Sequence, residues 1–462
     1  MGPVGPPRPL VVRLGKIQSS THGHGIMGSE PSMIRGEGGM PEGTRFRNTA
    51  LESLVLGLIL LAALVVRAYY IHTVPQPPLF TDAKNYDETA LRLLHTGVFS
   101  YWGNGPDAYV TPGYPLFLAL VYTIADWIGG NRLMDARYAQ ALLSVVTLLW
   151  MYLTVRRLQG RVAALLAVVL GAVYVSMIWA PAAILTETLF NFFFVLYLYV
   201  FLIAMQKDDW RWSGLGGAVL GLTALVRPTP APLVVLLPLL YHGLVERRRH
   251  MWRHLGVALV AFAMVMAPWW LRNLHTFGHL ILFATESGDP MFAGTDPYFR
   301  LGDKLYQTVP PGADLTQMAK QRIVEGFTHE PVLYLQWFTT GKWWYLFRRP
   351  WGWNESEALI TGHFWEGMDS LHLPIVYAGW ASVLLTPWWR NLRVLSFVLL
   401  ILTGIQLLFL PLARYAFPMM PILIMMASVA VIRLLGLVFR LRRRGEKGDV
   451  QDAESLGDYP SL

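Results

Sequence analysis

Residues 51–72 read Leu-Glu-Ser-Leu-Val-Leu-Gly-Leu-Ile-Leu-Leu-Ala-Ala-Leu-Val-Val-Arg-Ala-Tyr-Tyr-Ile-His, and residues 80–88 follow as Phe-Thr-Asp-Ala-Lys-Asn-Tyr-Asp-Glu. The first stretch has the ~20 apolar residues that a helix needs to cross hydrocarbon. The second puts Asp82 where that span meets the outer water layer. A carboxylate there reaches a soluble acceptor, or the head group of a lipid whose tail stays in the bilayer. Ala83, Tyr86, Ala90, Leu91 and Leu94 recur at helical spacing, and Gly97 closes the run, which predicts an amphipathic surface helix. Asp82 is then also the natural N-cap of that helix. A carboxylate spent on backbone N–H groups is a weaker base, so the two roles compete. Asp87 and Glu88 fall on the solvated face.

Working outward, the whole chain has the same character. Of 462 residues, 54% are hydrophobic and only 15% charged, with a mean hydropathy of +0.39, where soluble domains carry about 25% charge. This is an all-α polytopic membrane protein. Spans fall near 51–72, 137–156, 162–180, 184–205, 212–227, 230–245, 255–270, 372–389, 394–412 and 416–435. There is no cysteine, which excludes disulfides and thiolate chemistry. The net charge of +8 is no nucleic-acid signal, because the positive residues cluster beside the spans: Arg156-Arg157-Arg161, Arg247-Arg248-Arg249-Arg253, Arg390-Arg393 and Arg440-Arg444. With ten spans and an inside N-terminus, every cluster lands on the cytoplasmic side, as the positive-inside rule requires. An eleventh apolar segment, 112–130, breaks that parity if it crosses, so it is expected to lie in the membrane without crossing. Residues 1–50, rich in Gly and Pro, are expected to be disordered and cytoplasmic, with Met27, Met33 and Met40 as alternative starts. The tail 436–462 is expected to be disordered and cytoplasmic as well. The picture is a multi-pass plasma-membrane protein: a module at 51–270 with a first outer loop at 73–136, a large outer loop at 271–371, and closing helices at 372–435.

The outer side collects the chemistry. Glu187 follows Pro181 at the outer start of the fourth span, on the side of Asp82. An acid at that boundary is expensive without a use or a partner, although a first-turn acid also complements the helix dipole. Arg227 precedes Pro228 between two spans, Arg272 follows Pro268-Trp269-Trp270, and Arg414 precedes Tyr415. Each stands at the outer boundary, against the general bias of basic residues. A single arginine there snorkels harmlessly. Three, with two acids, also match a phosphate-linked substrate: guanidinium forks bind phosphate oxygens, and a carboxylate takes the proton of an acceptor hydroxyl. Trp343, Trp344, Trp351, Trp353 and Trp365, with Lys342, Arg348 and Arg349, form an aromatic–basic stretch. It reads as an interfacial anchor or as a wall of a lipid head-group site.

Several short motifs together carry a resemblance. They are Asp82 with Tyr86 and Leu93-Leu94-His95-Thr96-Gly97; Pro112-Gly113-Tyr114-Pro115-Leu116; Leu185-Thr186-Glu187; Ala224-Leu225-Val226-Arg227-Pro228-Thr229; Pro268-Trp269-Trp270-Leu271-Arg272-Asn273; and Arg414-Tyr415 with Pro418 and Pro421. In this order and on one side of the membrane, they make the chain resemble the GT-C superfamily of integral-membrane glycosyltransferases. The nearest branch is the bacterial one that includes protein mannosyltransferases and aminoarabinose transferases. The resemblance implies inverting transfer of a sugar from a polyprenyl-phosphate donor to an acceptor hydroxyl on the outer face. The family's first-loop base maps onto Asp82 and its second acid onto Glu187. Tyr86, Arg227, Arg272, Arg414 and Tyr415 are left to bind substrate. Many relatives place another acid directly after the first; here Ala83 follows. With a monophosphate donor, arginines supply the electrostatic work of a metal, so neither metal nor cofactor is expected. The acceptor is a glycan, lipid or protein. The competing reading is a transporter or flippase of a lipid-linked sugar. Against it, no inverted repeat or matched pair of interrupted spans is visible, and the acids stand at the boundary, not at mid-membrane. A non-catalytic scaffold is a third reading.

Overall fold

Each expected apolar span coincides with a helix, and among the described residues there is no strand. The computed structural model describes residues 42–74, 78–286, 288–352 and 369–456. Among the described residues, those from Leu51 onward form one compact unit. In chain order the main helices are α1 (Ala50–Thr73), α2 (Thr81–Thr96), α3 (Gly113–Ile128), α4 (Arg132–Gln159), α5 (Arg161–Val173) and α6 (Val175–Ala182). Then come α7 (Glu187–Lys207), α8 (Trp210–Val226), α9 (Leu233–Val245), α10 (Met251–Phe277), α11 (Leu315–His329), α12 (His372–Leu384), α13 (Arg393–Gln406) and α14 (Ala413–Val438).

Length and apolarity support fewer crossing helices than the expected ten. Among the described residues, α1, α4, α7, α10 and α14 are long and apolar enough to cross, and α5 with α6, bent by 65°, makes up to a sixth. The others are cut short by their own sequence. Pro228, Pro230 and Pro232 delimit the start of α9, and Pro387 lies just past α12, because proline lacks the N–H and clashes with the preceding turn. The 112–130 segment is α3, 16 residues long, or roughly 24 Å at 1.5 Å per residue. Leu116, Leu120, Ile124, Trp127 and Ile128 of α3 are exposed, while its other face packs on α2, α4 and α8. The expected disorder of 1–50 falls largely outside the described residues, but that of 436–462 does so only at 457–462. Where those segments are described, 42–50 and 436–456 are helical.

The core runs through α4, α5, α7, α8, α10 and α14. In lipid, close packing and hydrogen bonds hold helices together more than hydrophobic burial does. Gly217 of α8 lies where a Cβ would be 2.1 Å from the Ala258 carbonyl oxygen of α10, so only glycine lets those backbones approach. The outer face of α1 is a row of exposed Leu51, Leu54, Leu58, Leu61 and Val65, and polar groups staple its inner face. Arg67, fully buried, donates to Ser144 Oγ at 3.0 Å and to the Gly171 carbonyl at 3.4 Å. Glu52 accepts from Tyr152 and pairs with Arg156. At one end of this bundle α2, the loop after it and the segment after α10 come together.

Candidate active site

The motifs converge because their backbones touch. Gly113 begins α3 where a Cβ would be 2.6 Å from the Leu225 carbonyl oxygen, so the Pro-Gly-Tyr-Pro motif needs its glycine to meet the Leu-Val-Arg-Pro motif. Thr111 Oγ1 then donates to the Val226 carbonyl at 3.1 Å. Pro228 disfavours helical backbone at the residue before it. Arg227 accordingly sits at φ −149°, ψ 130°, and its side chain leaves the end of α8. A second glycine contact closes the far wall: a Cβ on Gly294 would be 2.7 Å from the Phe409 carbonyl carbon, and Leu410 N–H donates to the Pro290 carbonyl at 2.8 Å.

Asp82 is not the N-cap of α2. That position is Phe80, in extended conformation and without a side-chain cap. Thr81 then takes φ +49°, a left-handed backbone that is costly for a β-branched residue, and Asp82 lies in the first turn. Its carboxylate is therefore free of the backbone. Arg414 Nη1 donates to Asp82 Oδ2 at 2.6 Å, and the Tyr101 hydroxyl donates to Asp82 Oδ1 at 3.0 Å. Asp87 also departs from expectation. It is half-buried, accepts a 2.6 Å hydrogen bond from the Tyr122 hydroxyl, and has its carboxyl raised above the usual range by that burial. Glu88 is a surface residue, near Lys84 and Arg92.

Arg414 links the two halves of the chain. It lies at the start of α14 after Pro411, and its Nε donates to Glu187 Oε1 while its Nη1 holds Asp82. Arg227 Nη1 donates to the same Glu187 oxygen at 2.7 Å, and its guanidinium lies 5.4 Å from the centre of the Tyr415 ring. Glu187 is fully buried, and its Oε2 has no hydrogen-bond partner among the described residues. It thus anchors two arginines from behind and does not open onto solvent. Tyr86 packs edge-on against Tyr101 and Tyr114, with centroids 5.5 and 5.1 Å away. Burial holds its phenol well above the usual range, so it acts as a neutral hydroxyl.

These groups surround a cavity of about 830 Å³ measured out to its open mouth. Asp82, Tyr86, Thr111, Arg227, Arg414, Tyr415 and Gln406 are among the residues that line it. Of the seven site residues expected from sequence, Asp82, Tyr86, Arg227, Arg414 and Tyr415 reach the cavity, and Glu187 braces it. Arg272 does not reach it. Its guanidinium donates to the Asp107 and Phe99 carbonyls at 2.7 and 3.1 Å and packs among Phe99, Trp269 and Phe277. Asp107 in turn accepts from the Tyr101 and Trp102 N–H groups, so Arg272 shapes the loop that presents Tyr101. A second hollow, about 720 Å³, lies on the other side of Arg414 and is lined by Tyr345, Arg348, Arg349 and Trp351. Trp353 and Trp365 lie outside the described residues. Lys342 is buried, donates to the Leu407 carbonyl at 2.8 Å, and has its ammonium lowered to about 7 by burial. It steadies the turn that carries Phe409. Among the described residues no group of three or more acids and histidines is placed to hold a metal.

Sequence reading missed Glu286. The segment after α10 pairs with the loop between α2 and α3: Thr285 N–H donates to the Ala108 carbonyl at 3.0 Å and Glu286 N–H to the Tyr109 carbonyl at 3.1 Å. This puts the Glu286 side chain in the cavity with Asp82 and both arginines. Desolvation there pushes its carboxyl up to about 7; Arg227 and Arg414 oppose the rise, and Asp82 and Asp289 add to it. The sequence signal was one acid in a loop of apolar and small residues, Ile281-Leu282-Phe283-Ala284-Thr285-Glu286.

Residues 109–271 match the family model described as dolichyl-phosphate-mannose-protein mannosyltransferase. No curated protein matches the chain. Among solved structures, that of ArnT from Cupriavidus metallidurans bound to undecaprenyl phosphate superposes with a TM-score of 0.50 at 16% identity, covering 81% of this chain and 60% of that one. The archaeal oligosaccharyltransferase AglB from Archaeoglobus fulgidus, in complex with an inhibitory peptide and a dolichol-phosphate, gives 0.54 at 13% identity, covering 87% and 52%. The same organism's oligosaccharyltransferase, tethered to an acceptor peptide, gives 0.53 at 13%, covering 85% and 50%. The chain spans half to three-fifths of the length of these proteins, and the likeness is one of fold.

Proposed function

We propose that this chain is an inverting glycosyltransferase of the GT-C superfamily, a reading supported by the family-model match over residues 109–271 and by the likeness of fold. It moves a sugar from a polyprenyl-phosphate donor to an acceptor hydroxyl on the outer face of the membrane. The observation that carries this reading is the linked set Asp82–Arg414–Glu187–Arg227 at the cavity wall. Two guanidinium groups there share one buried carboxylate behind them, and among the described residues their remaining N–H groups carry no hydrogen bond, so they can meet an anion. A phosphate gives charge-assisted, bidentate contacts to such groups. Arg414 is shared with Asp82. A donor phosphate competes for that guanidinium and loosens its hold on Asp82, which then accepts the proton of the attacking hydroxyl. The acceptor oxygen bonds to the anomeric carbon as the bond to the phosphate breaks, and the arginines hold the charge left on the leaving oxygen. Glu187 acts through the arginines. Tyr86 and Tyr415 offer a hydroxyl and ring faces to the sugar.

Mass spectrometry of lipids that co-purify in mild detergent tests the donor class. The wild type is expected to carry polyprenyl phosphate or its glycosylated form, and Arg227→Ala and Arg414→Ala to lose it. Bulk phospholipid alone in the wild type sinks the reading.

A further inference from the structure

We propose that Glu286 is a second catalytic residue of this site, the acid that hydrogen-bonds and protonates the phosphate oxygen as it leaves the sugar. This rests on the glycosyltransferase reading above and adds the partner that Asp82 lacks there.

The geometry is specific. Two main-chain hydrogen bonds to the first outer loop fix the Glu286 backbone, and the side chain lines the cavity that Asp82, Arg227 and Arg414 also line. Asp82 and Glu187 are both bound to guanidinium groups. Glu286 has no side-chain hydrogen bond or close ion pair among the described residues, so its carboxyl is available to a ligand. The charges facing it are Asp82 from α2, Arg227 from the end of α8, Asp289 three residues on, and Arg414 from α14. Phenols also face it: Tyr86 from α2, Tyr101 and Tyr109 from the first loop, and Tyr415 beside Arg414.

The charge count favours a proton on Glu286 when donor is bound. Asp82 and Glu187 balance Arg227 and Arg414. A phosphodiester then adds one negative charge, and an ionised Glu286 would add another in the same enclosure. Like charges at close range raise a carboxyl, and Glu286 already titrates at about 7. A departing monoester phosphate takes its second proton near 6. Donor and recipient are therefore matched, the condition under which general acid catalysis is efficient. The step balances. The C1–O bond to phosphate breaks with its electron pair on the phosphate oxygen, and the acceptor oxygen bonds to C1. The acceptor proton goes to Asp82 and the Glu286 proton goes to the phosphate. Solvent then takes the proton from Asp82 and returns one to Glu286. Two carboxyls set apart by their surroundings thus divide the acid and base roles.

Binding of undecaprenyl phosphate to the full chain in detergent, measured from pH 6 to 9, tests this. Wild-type affinity is expected to fall above pH 7, where Glu286 loses its proton. Glu286→Gln keeps an N–H donor at every pH, so it should bind about tenfold more tightly than wild type by pH 8. On addition of undecaprenyl phosphate at pH 7.5, the infrared carboxylic-acid C=O band should grow in the wild type and be unchanged in Glu286→Gln. A Glu286→Gln profile that tracks the wild type, with no difference in that band, overturns the role of Glu286 alone. A wild type that binds no undecaprenyl phosphate at any pH overturns the glycosyltransferase reading along with it.

Discussion

Asp82 and Glu286 face the same cavity from opposite halves of the chain and are held there in opposite ways. Asp82 is fixed by its side-chain partners, Arg414 and Tyr101. Glu286 is fixed by its main chain, through Ala108 and Tyr109, and its carboxyl faces the cavity without a side-chain hydrogen bond among the described residues. A charge held by another charge has a partner that can be sought in the sequence. A charge held by its backbone has none. The difference also assigns chemistry: the paired group sits against a guanidinium, whereas desolvation pushes the carboxyl of the other up to about 7.

The sharpest way to break the comparison is Asp82→Asn. The amide keeps the shape and the contact with Tyr101 but cannot take a proton. Sugar transfer from a labelled donor is expected to fall by about 10²–10⁴-fold, the usual worth of a positioned general base, while binding of polyprenyl phosphate persists. Transfer that survives within a few-fold removes Asp82 from the chemistry and leaves it as a clamp on Arg414.

A smaller effect, of the opposite sign, is expected on the other side of the cavity. Glu286 titrates at about 7 in the folded chain, against an ordinary 4.5, so between those values the folded state holds more proton than the unfolded one. Its contribution is therefore full below about pH 4.5, is lost as pH rises to about 7, and is level above that. The loss is about 3 kcal/mol. Glu286→Gln is neutral throughout and should melt higher than the wild type at pH 8, with the gap closing toward pH 4.5. A variant less stable at pH 8 would mean that the ionised carboxylate has a structural partner. Stability gained at a site residue is the usual sign of a group kept for function.

The same contrast marks what was legible in the sequence. The membrane-spanning helices were, because a run such as Leu51–Leu64 has only one solvent to suit. The short helices were less so, since α9, α12 and α13 are as apolar as true spans and only their prolines and breaks limit them. The arginine–acid set was legible because arginines outside the positive-inside pattern need a reason. Arg272 obeyed the same rule for a different reason: it ties down two loop carbonyls, and nothing in a lone guanidinium tells a backbone acceptor from a phosphate. Glu187 was found as an acid, but not its direction, since inward and outward first-turn side chains differ by a rotation that tertiary packing decides. Glu286 was not found at all. Its position depends on two main-chain hydrogen bonds across some 175 residues of chain, and main-chain pairing leaves little mark on residue identity.

Tyr101 offers the finest adjustment. Its hydroxyl donates to the Asp82 oxygen that Arg414 does not hold. Burial, then the charge of Asp82, pushes the phenol above its usual range, so it stays a donor across the working pH. It reaches Asp82 because Asp107 accepts its backbone N–H and Arg272 grips the Asp107 carbonyl. Tyr101→Phe removes only the donor. Asp82 is about a third exposed, so cavity water replaces the lost bond and the net change is about 1 kcal/mol, less than tenfold in rate. The direction separates two roles for the phenol. If it merely orients Asp82, transfer falls at every pH. If it also weakens the base by sharing its charge, Tyr101→Phe transfers faster on the neutral plateau of the profile. An unchanged profile places Tyr101 outside the reaction and leaves Arg414 as the only group that sets the base.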